Sequence, residues 1–494
     1  MSSIFGNLKR NTLANFIQVI LSTFTLFILY RYLIYEMGLE ALGIWAVVLS
    51  AVSSGRLVEL GLASAPAKFV SKYLALSSYS KVNKVIDTIS ISIFILLLIF
   101  SPLLYYFLDF IFPYFIDEKF LPLITQMIPY IIGSLVLSAV ASVFQGSIDG
   151  FERMDIGAFI KVSAQLLLLI LAVIFVPTMG LIGLALSQFI QGIYLLIVSR
   201  LFIKYLSEDM SILPNKFSLK TLKKIFNYGL NMQIVTIFVT IREPILKAFI
   251  SKFGGLAAVG IFEVAFQIVS RLSTVIYSVN QVIVPRISAL KEQSSNEIYR
   301  LFKINYEILI FIVPLIFTLV FCWSGVLSLI LLGEFEDDFV YVIYVIGFGW
   351  IANVMVLPIY FYNMGYGSVQ NNALSEAIVG ISNIIFGFLL GTYFGLYGVT
   401  IGYSISMLSG ALVLIYRMSK QNINVSVLFS KIDIYFLISS LLLLGYFYNY
   451  PINFSEGFDY GNTMLFLLPL VTLLLYSIYH PMRKKIFTIV FNDK

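Results

Sequence analysis

Long apolar runs separated by short polar segments dominate the pattern of this 494-residue chain. Because a helix needs roughly 20 mainly apolar residues to cross a bilayer, about fourteen of these runs are long enough to do so. We predict the spans at 11–35, 40–62, 84–108, 122–147, 156–177, 180–202, 225–250, 256–284, 304–332, 339–362, 371–394, 396–418, 431–450 and 462–480. The pattern therefore predicts an all-α integral membrane protein.

An internal repeat relates the two halves of the chain. Matching positions are separated by nearly the same number of residues as Asn11 and Asn227. The matching positions are Asn11 and Asn15 with Asn227 and Asn231, 38–45 with 255–262, 150–151 with 365–366, and 180–183 with 395–398. Six helices separate the matches, so both halves run in the same direction through the membrane. Parallel repeats of this kind predict two pseudo-symmetric six-helix lobes around a cavity that opens alternately to either side.

The repeat predicts the organisation of the chain into four parts. They are an N-lobe at 1–202, a cytoplasmic linker at 203–224, a C-lobe at 225–420, and two further helices with a cytoplasmic tail at 421–494. The linker contains Pro214 and the basic segment 220–224. We expect it to be amphipathic and to lie at the membrane surface, where basic residues meet anionic lipid.

Composition and charge fit this class of protein. Hydrophobic residues make up 60% of the chain and charged residues 12%, against about 25% charged in soluble proteins. The chain has a single cysteine, Cys322, which excludes a disulfide framework. It has a single histidine, His480, which excludes a histidine-rich metal site. We expect no cofactor and no removable signal sequence. The net charge of +6 does not indicate nucleic acid, since basic residues of membrane proteins gather on one side.

The basic residues also predict the orientation. With the N-terminus inside, the inner segments are rich in Lys and Arg, whereas the outer segments are acidic. The outer basic residues are Arg31, Lys119, Lys247 and Lys252. By the positive-inside rule, both termini are expected in the cytoplasm of a bacterium, with the chain crossing the inner membrane many times.

Polar residues line one face of two predicted helices. Helix 1 carries Asn11, Asn15 and Gln18 at helical spacing, and helix 8 carries Glu263, Gln267 and Arg271. Asn227 and Asn231 repeat the first pair in helix 7. These residues either hydrogen-bond between packed helices or line a polar cavity.

Five cations are the candidate substrate ligands. Arg56, Arg242 and Arg271 lie within predicted spans, while Arg31 and Lys247 lie at the outer ends of helices 1 and 7. At the offset of the repeat, Arg56 corresponds to Arg271, and Arg31 corresponds to Lys247. Charges at this depth normally face water or a partner, and the guanidinium fork matches phosphate oxygens. A cationic cavity for an anion is one interpretation; the other is local ion pairing, of Arg56 with Glu59 and of Arg242 with Glu243.

Carboxylates within the spans are candidates for ion coupling. Glu59, Glu263 and Glu376 could each exchange a proton during transport, or could serve as structural counter-ions. Coupling to protons or to sodium stays open from the sequence.

Four motifs together resemble a known family. They are 59–65 (ELGLASA), 145–153 (QGSIDGFER), 255–262 (GLAAVGIF) and 284–288 (VPRIS). In this order and spacing the chain, over roughly residues 1–420, resembles the Wzx-type O-antigen and exopolysaccharide flippases. These form the polysaccharide transporter branch of the MATE-like MOP flippase superfamily.

The resemblance implies two MATE-like lobes and alternating access. It also implies undecaprenyl-pyrophosphate-linked oligosaccharide as the substrate, within surface polysaccharide biosynthesis. Polysaccharide polymerase and chain-length proteins are the implied protein partners, beside membrane lipid. The lipid II flippases are similar in helix count and use arginines in helices 1, 2 and 8, where this chain has Arg31, Arg56 and Arg271.

Three alternatives remain open from the sequence. A MATE-type exporter of cationic drugs would need a cavity dominated by carboxylates and aromatic residues. A lipid II flippase would share the fold and the arginines. A membrane-bound sugar polymerase or ligase would need a large outer loop with catalytic groups, so we expect a transporter and not an enzyme.

Overall fold

A computed structural model describes residues 2–59, 61–62, 65–207, 210–281, 283–290, 295–420 and 471. Every regular element in this described part is helical. The α-helices are α1 (Ser2–Ser53), α2 (Ala65–Ala75), α3 (Tyr79–Ile111), α4 (Leu121–Gly150), α5 (Met154–Leu206), α6 (Leu219–Gly254), α7 (Leu256–Gln281), α8 (Ile283–Leu290), α9 (Ser295–Cys322), α10 (Ser324–Leu331), α11 (Asp337–Met355), α12 (Leu357–Tyr366) and α13 (Val369–Ser419). Short 3-10 helices lie at Ser54–Glu59, Phe112–Tyr114 and Glu118–Phe120.

Three of these helices are too long for one crossing and are broken at a glycine. The helices α1, α5 and α13 have 52, 53 and 51 residues, or about 75–80 Å at 1.5 Å per residue. The bilayer core is only about 30 Å thick. Gly38, Gly180 and Gly395 interrupt them with non-helical backbone angles.

In α5 and α13 the two halves fold back on each other as hairpins. Gln191 Nε2 donates to the Ala164 carbonyl at 3.0 Å, and Ser375 Oγ donates to the Gly410 carbonyl at 2.9 Å. The tight connections implied by the adjacent predicted spans 156–177 and 180–202, and 371–394 and 396–418, are therefore confirmed.

The predicted membrane spans agree with the helices. Eight helical segments of the described residues are long and apolar enough to cross a membrane, and three of them contain the glycine breaks. The helix α6 has 36 residues but is more polar; it begins after Ser218, whose side chain accepts a hydrogen bond from the Thr221 amide at 3.4 Å. The predicted spans at 431–450 and 462–480 lie outside the described residues, apart from Val471, so the count of fourteen stays a prediction.

The chain divides into two compact units, Met1–Gly260 and Ile261–Lys494. In unit 1 the core joins α2, α3, α4 and α5, with Leu62, Val82, Ile89 and Val143 fully buried. In unit 2 the core joins α8, α9, α12 and α13, and includes the buried Tyr306. The predicted boundaries at 202, 224 and 420 stay predictions; of the linker, 207–218 lies between helices.

The internal repeat is visible in the backbone geometry. Gly180 has φ 59° and ψ −138°, and Gly395, its counterpart in the repeat, has φ 57° and ψ −134°. These left-handed angles are open to glycine and strained for other residues. Gly38 and its counterpart Gly255 also have similar angles, at φ 83° and 86°.

Close contacts in the two units repeat in the same way. A β-carbon on Gly150 would lie 2.8 Å from Val70 Cβ, and one on Gly365 would lie 2.8 Å from Ile287 Cβ. Val70 and Ile287 are related by the same offset as Gly38 and Gly255. The short helices α2 and α8 thus hold equivalent places, which explains why the repeat has a glycine at both 150 and 365.

Candidate functional site

The polar face of predicted helix 1, which forms the first half of α1, contacts the turn between α4 and α5. Asn11 is buried, and its Nδ2 donates to the Glu152 carbonyl at 3.0 Å. Asn15 is exposed and its Nδ2 lies 3.6 Å from Met154 Sδ. At this end of the helix, the contacts seen are those of helix packing.

The same turn holds a group of charged residues. Arg153 donates from Nε to Asp155 Oδ1 at 3.0 Å and from Nη2 to Oδ2 at 3.1 Å. The hydrogen bond to Asp155 raises the pKa of Arg153, which keeps its charge. Arg10 lies 3.6 Å from the same carboxylate.

Further along helix 1 the polar side chains bond within the helix. Gln18 Nε2 donates to Ser22 Oγ at 3.2 Å, and Thr25 Oγ1 donates to the Leu21 carbonyl at 2.8 Å. Ser22 and Thr25 are buried. The side chains of Asn227 and Asn231, the predicted counterparts of Asn11 and Asn15, lie outside the described part of the structure.

Arg56 lies on the 3-10 helix Ser54–Glu59, at the end of the second span. Its side chain is exposed, and Nη2 donates to Ser138 Oγ of α4 at 3.1 Å. Glu59 is buried, with 6% of its surface exposed. Within the described residues Arg56 and Glu59 form no direct ion pair, although their charges lie close enough to interact.

Lys247, a candidate ligand on α6, already forms an ion pair. Lys247 is only 2% exposed, and its Nζ lies 2.6 Å from Glu243 Oε1, one turn earlier on α6. Glu243 therefore pairs with Lys247, although the sequence places it beside Arg242. Arg242 and Arg31 are half-buried, and each has interactions of its own.

Predicted helix 8 corresponds to α7 in the structure, and its polar face carries Glu263, Gln267 and Arg271. Glu263 is 3% exposed and accepts a hydrogen bond from Gln267 Nε2 at 2.9 Å. Two turns along the same face, Arg271 is half-buried, and no ion pair to it is present among the described residues. Glu376 lies half-buried on α13. A buried acid and a half-buried arginine thus share one helix face.

The expected equivalence of Arg56 and Arg271 needs correction. The glycine and α2/α8 contacts on both sides of this span share one offset, and that offset matches Arg56 with Ser273, two positions beyond Arg271. Ser273 is buried and bonds to the Val269 carbonyl. In an α-helix a shift of two positions turns a side chain by about 200°. In addition, unit 1 is a 3-10 helix at Arg56, whereas α7 stays α-helical.

Arg31 and Lys247 are shifted in the same way. Arg31 precedes Gly38 by seven positions, whereas Lys247 precedes Gly255 by eight. Because both helices run unbroken to these glycines, the two cations are one position, or about 100° of helix rotation, out of register.

A buried ion pair in unit 1 was missed by the sequence analysis. Arg200 Nη1 lies 3.0 Å from Asp87 Oδ1, with side-chain exposures of 7% and 1%. Both residues fall inside predicted spans, at 180–202 and 84–108, so the same search for intramembrane charges could have found them. The pair also binds the linker backbone: Arg200 donates to the Ser211 and Ile212 carbonyls.

Comparisons with known proteins agree with the helical architecture. A family model described as "Polysaccharide biosynthesis protein" matches residues 8–291, more than half of the chain. No curated protein sequence matches significantly.

Solved structures of MOP superfamily transporters are similar in fold. An inward-facing multidrug resistance MATE family transporter has a TM-score of 0.69 and 14% identity, over 82% of this chain and 95% of that chain. The lipid II flippase MurJ, in an inward closed conformation, has a TM-score of 0.68 and 14% identity, over 96% and 99%. A MOP superfamily transporter from Pyrococcus furiosus, described as having a binding pocket of reverse polarity, has a TM-score of 0.59 and 16% identity, over 84% and 95%. At these identities the likeness establishes the fold, and it confirms the predicted all-α MATE-like class.

Proposed function

The chain belongs to the polysaccharide biosynthesis protein family, and from this premise we propose that it is a lipid-linked oligosaccharide flippase. It moves undecaprenyl-pyrophosphate-linked repeat units from the cytoplasmic to the outer leaflet by alternating access. This is transport and not catalysis, and it supplies surface polysaccharide assembly such as that of O-antigen.

One observation supports this substrate above the others: among the described residues, the two arginines Arg56 and Arg271 form no direct ion pair with a carboxylate. Arg56 donates a hydrogen bond to the neutral hydroxyl of Ser138, and Arg271 is half-buried on α7. A guanidinium at membrane depth normally faces water or a partner of opposite charge. An anionic substrate would supply the missing charge.

Diphosphate is the anion that every substrate of this class shares, whatever its sugars. The planar guanidinium donates two parallel hydrogen bonds to phosphate oxygens, which a lysine ammonium cannot do. Each of the two arginines therefore contacts the diphosphate during the transport cycle. A cationic drug would gain nothing from them.

The remaining features of the proposal follow the family and the charge distribution. The protein lies in the bacterial inner membrane with both termini in the cytoplasm, and works beside a polysaccharide polymerase and chain-length proteins. Transport is coupled to protons or sodium and requires no cofactor. Glu263, buried on the helix face of Arg271, is the proposed coupling carboxylate.

The test is complementation of a strain that lacks its own flippase for the same repeat unit. Arg56→Ala and Arg271→Ala should each lower surface polysaccharide by at least about tenfold, the equivalent of about 1.4 kcal/mol. Lipid-linked oligosaccharide should accumulate on the cytoplasmic leaflet. The two lysine variants should restore export only in part, because they keep the charge and lose the fork.

Arg417→Ala, at an exposed position near the end of α13, is the matched control and should export normally. Membrane levels of each variant are checked by immunoblot. Full export by a well-inserted Arg56→Ala/Arg271→Ala double variant would refute the proposal. Rescue of a lipid II flippase depletion by the wild-type chain would reassign the substrate to lipid II.

A further inference from the structure

An apolar crevice opens on unit 1, apart from the residues considered above as substrate ligands. Its volume is about 430 Å³, within the range of about 300–1,000 Å³ usual for small-molecule sites. Helices α3, α4 and α5 form its walls, and linker residues 212–214 close one end.

The crevice has a buried floor and an exposed rim. Val140 and Phe144 of α4 form the floor, with 7% and 2% of their surface exposed. On the rim, Phe94, Ile197 and Leu201 are exposed by 45%, 51% and 50%. These helices are long and apolar enough to cross a membrane, which places the exposed rim where lipid hydrocarbon would surround it. An open cleft in such a surface loses dispersion contacts unless hydrocarbon fills it.

The end of the crevice is fixed by the buried ion pair. Arg200 donates to the Ser211 and Ile212 carbonyls at 2.7 and 3.0 Å. Asp87 Oδ2 accepts from the Asn215 and Lys216 amides at 3.0 and 3.1 Å. The charge of Arg200 is therefore compensated within the protein, and an occupant of the crevice needs no polar group at this depth.

Apolar and basic residues follow each other at this end. Ile212 and Leu213 are 56% and 76% exposed. Lys204 lies one turn beyond Leu201 on α5, and Lys216 and Lys220 follow the apolar linker residues. Hydrocarbon depth and a basic surface thus meet at one end of the crevice, as an anionic phospholipid requires.

We propose that this crevice binds one acyl chain of an anionic phospholipid from the leaflet that faces the linker. The chain lies on Val140 and Phe144 between α3 and α5. The phosphate lies among Lys204, Lys216 and Lys220. This site is independent of the proposed transport function and of the two arginines assigned to it.

The experiment uses the full-length protein purified in detergent and given substoichiometric phosphatidylglycerol with a photoactivatable diazirine in one acyl chain. Cross-linked peptides are located by mass spectrometry, and we expect them around 140–144 and 196–201. The double variant Ile197→Trp/Leu201→Trp fills the rim and should lower this cross-linking by at least about tenfold. Both positions are exposed, so the variant should fold.

Ile170→Trp is the matched control, on the same hairpin α5 and 57% exposed, and should label like wild type. Equal labelling of wild type and the double variant at 196–201 would overturn the proposal. So would labelling spread evenly over all lipid-facing helices.

A second arm tests the headgroup. Wild type should prefer the phosphatidylglycerol probe to a phosphatidylcholine probe with the same chain, and Lys204→Gln/Lys216→Gln should reduce that preference severalfold. A third probe, a diazirine-bearing polyprenyl phosphate, separates the two lipid sources. Labelling by that probe alone would overturn the proposal and assign the crevice to the substrate tail.

Discussion

Gly43 and Gly260 bring the backbones of two helices into direct contact. A β-carbon on Gly43 would lie 3.2 Å from the Gly260 amide nitrogen and would overlap the Leu256 carbonyl oxygen. A β-carbon on Gly260 would lie 3.4 Å from the Gly43 amide nitrogen and would overlap the Leu39 carbonyl oxygen. Because the repeat relates Gly43 to Gly260 and Leu39 to Leu256, the contact is symmetric within it.

Alanine at either glycine should separate the two helices. Gly43→Ala and Gly260→Ala should each destabilise the protein by about 1–3 kcal/mol, because backbone atoms must move to make room. The measurement is the midpoint of thermal unfolding of the purified protein in detergent. The double variant should lose less than the sum, since one separation relieves both overlaps.

Gly146→Ala in α4 is the control for these variants. Its β-carbon would lie 3.5 Å from Pro66 Cβ, an ordinary contact, so its unfolding midpoint should stay near wild type. Equal midpoints for Gly43→Ala and Gly146→Ala would contradict the close approach.

The Asp87–Arg200 pair should hold the linker to unit 1. Arg200→Ala leaves a carboxylate that is 1% exposed without its ion-pair partner, which costs about 3–5 kcal/mol in comparable cases. We expect a lower unfolding midpoint and faster tryptic cleavage at Lys216, whose amide binds Asp87. Arg153→Ala breaks a more exposed pair and should cost no more than about 1 kcal/mol. Unchanged cleavage at Lys216 in Arg200→Ala would show that other contacts hold the linker.

Replacement of Glu263 should affect energy coupling. Glu263→Gln keeps the size of the side chain and removes its ability to exchange a proton, so transport should depend less on an imposed pH gradient. The measurement compares flipping in proteoliposomes with and without the gradient, in sodium and in potassium buffers. Glu297→Gln, at an exposed position on α9, is the control. A variant that responds to both ions like wild type would leave Glu263 a structural residue.

The charge distribution predicts a definite topology. Reporter fusions at Lys420, just after α13, and at Lys494 should both report the cytoplasm. A fusion at Asp337, the first residue of α11, should report the outer side. An outer signal at Lys494 would contradict an even number of helices.

The sequence by itself determined the helices and their repeat, because both depend on local properties. An apolar run of bilayer length becomes a spanning helix whatever its neighbours are. The sequence also predicted the turns at Gly180 and Gly395, because a positive φ angle favours glycine at such positions.

Only the tertiary structure decided which charges meet. Arg200 and Asp87 lie on helices far apart in the chain and are joined by helix packing, which no local spacing encodes. The register of Arg56 and Arg271 likewise depended on a 3-10 turn in one unit where the other stays α-helical. Sequence numbers alone align such residues, whereas helix rotation decides what their side chains can reach.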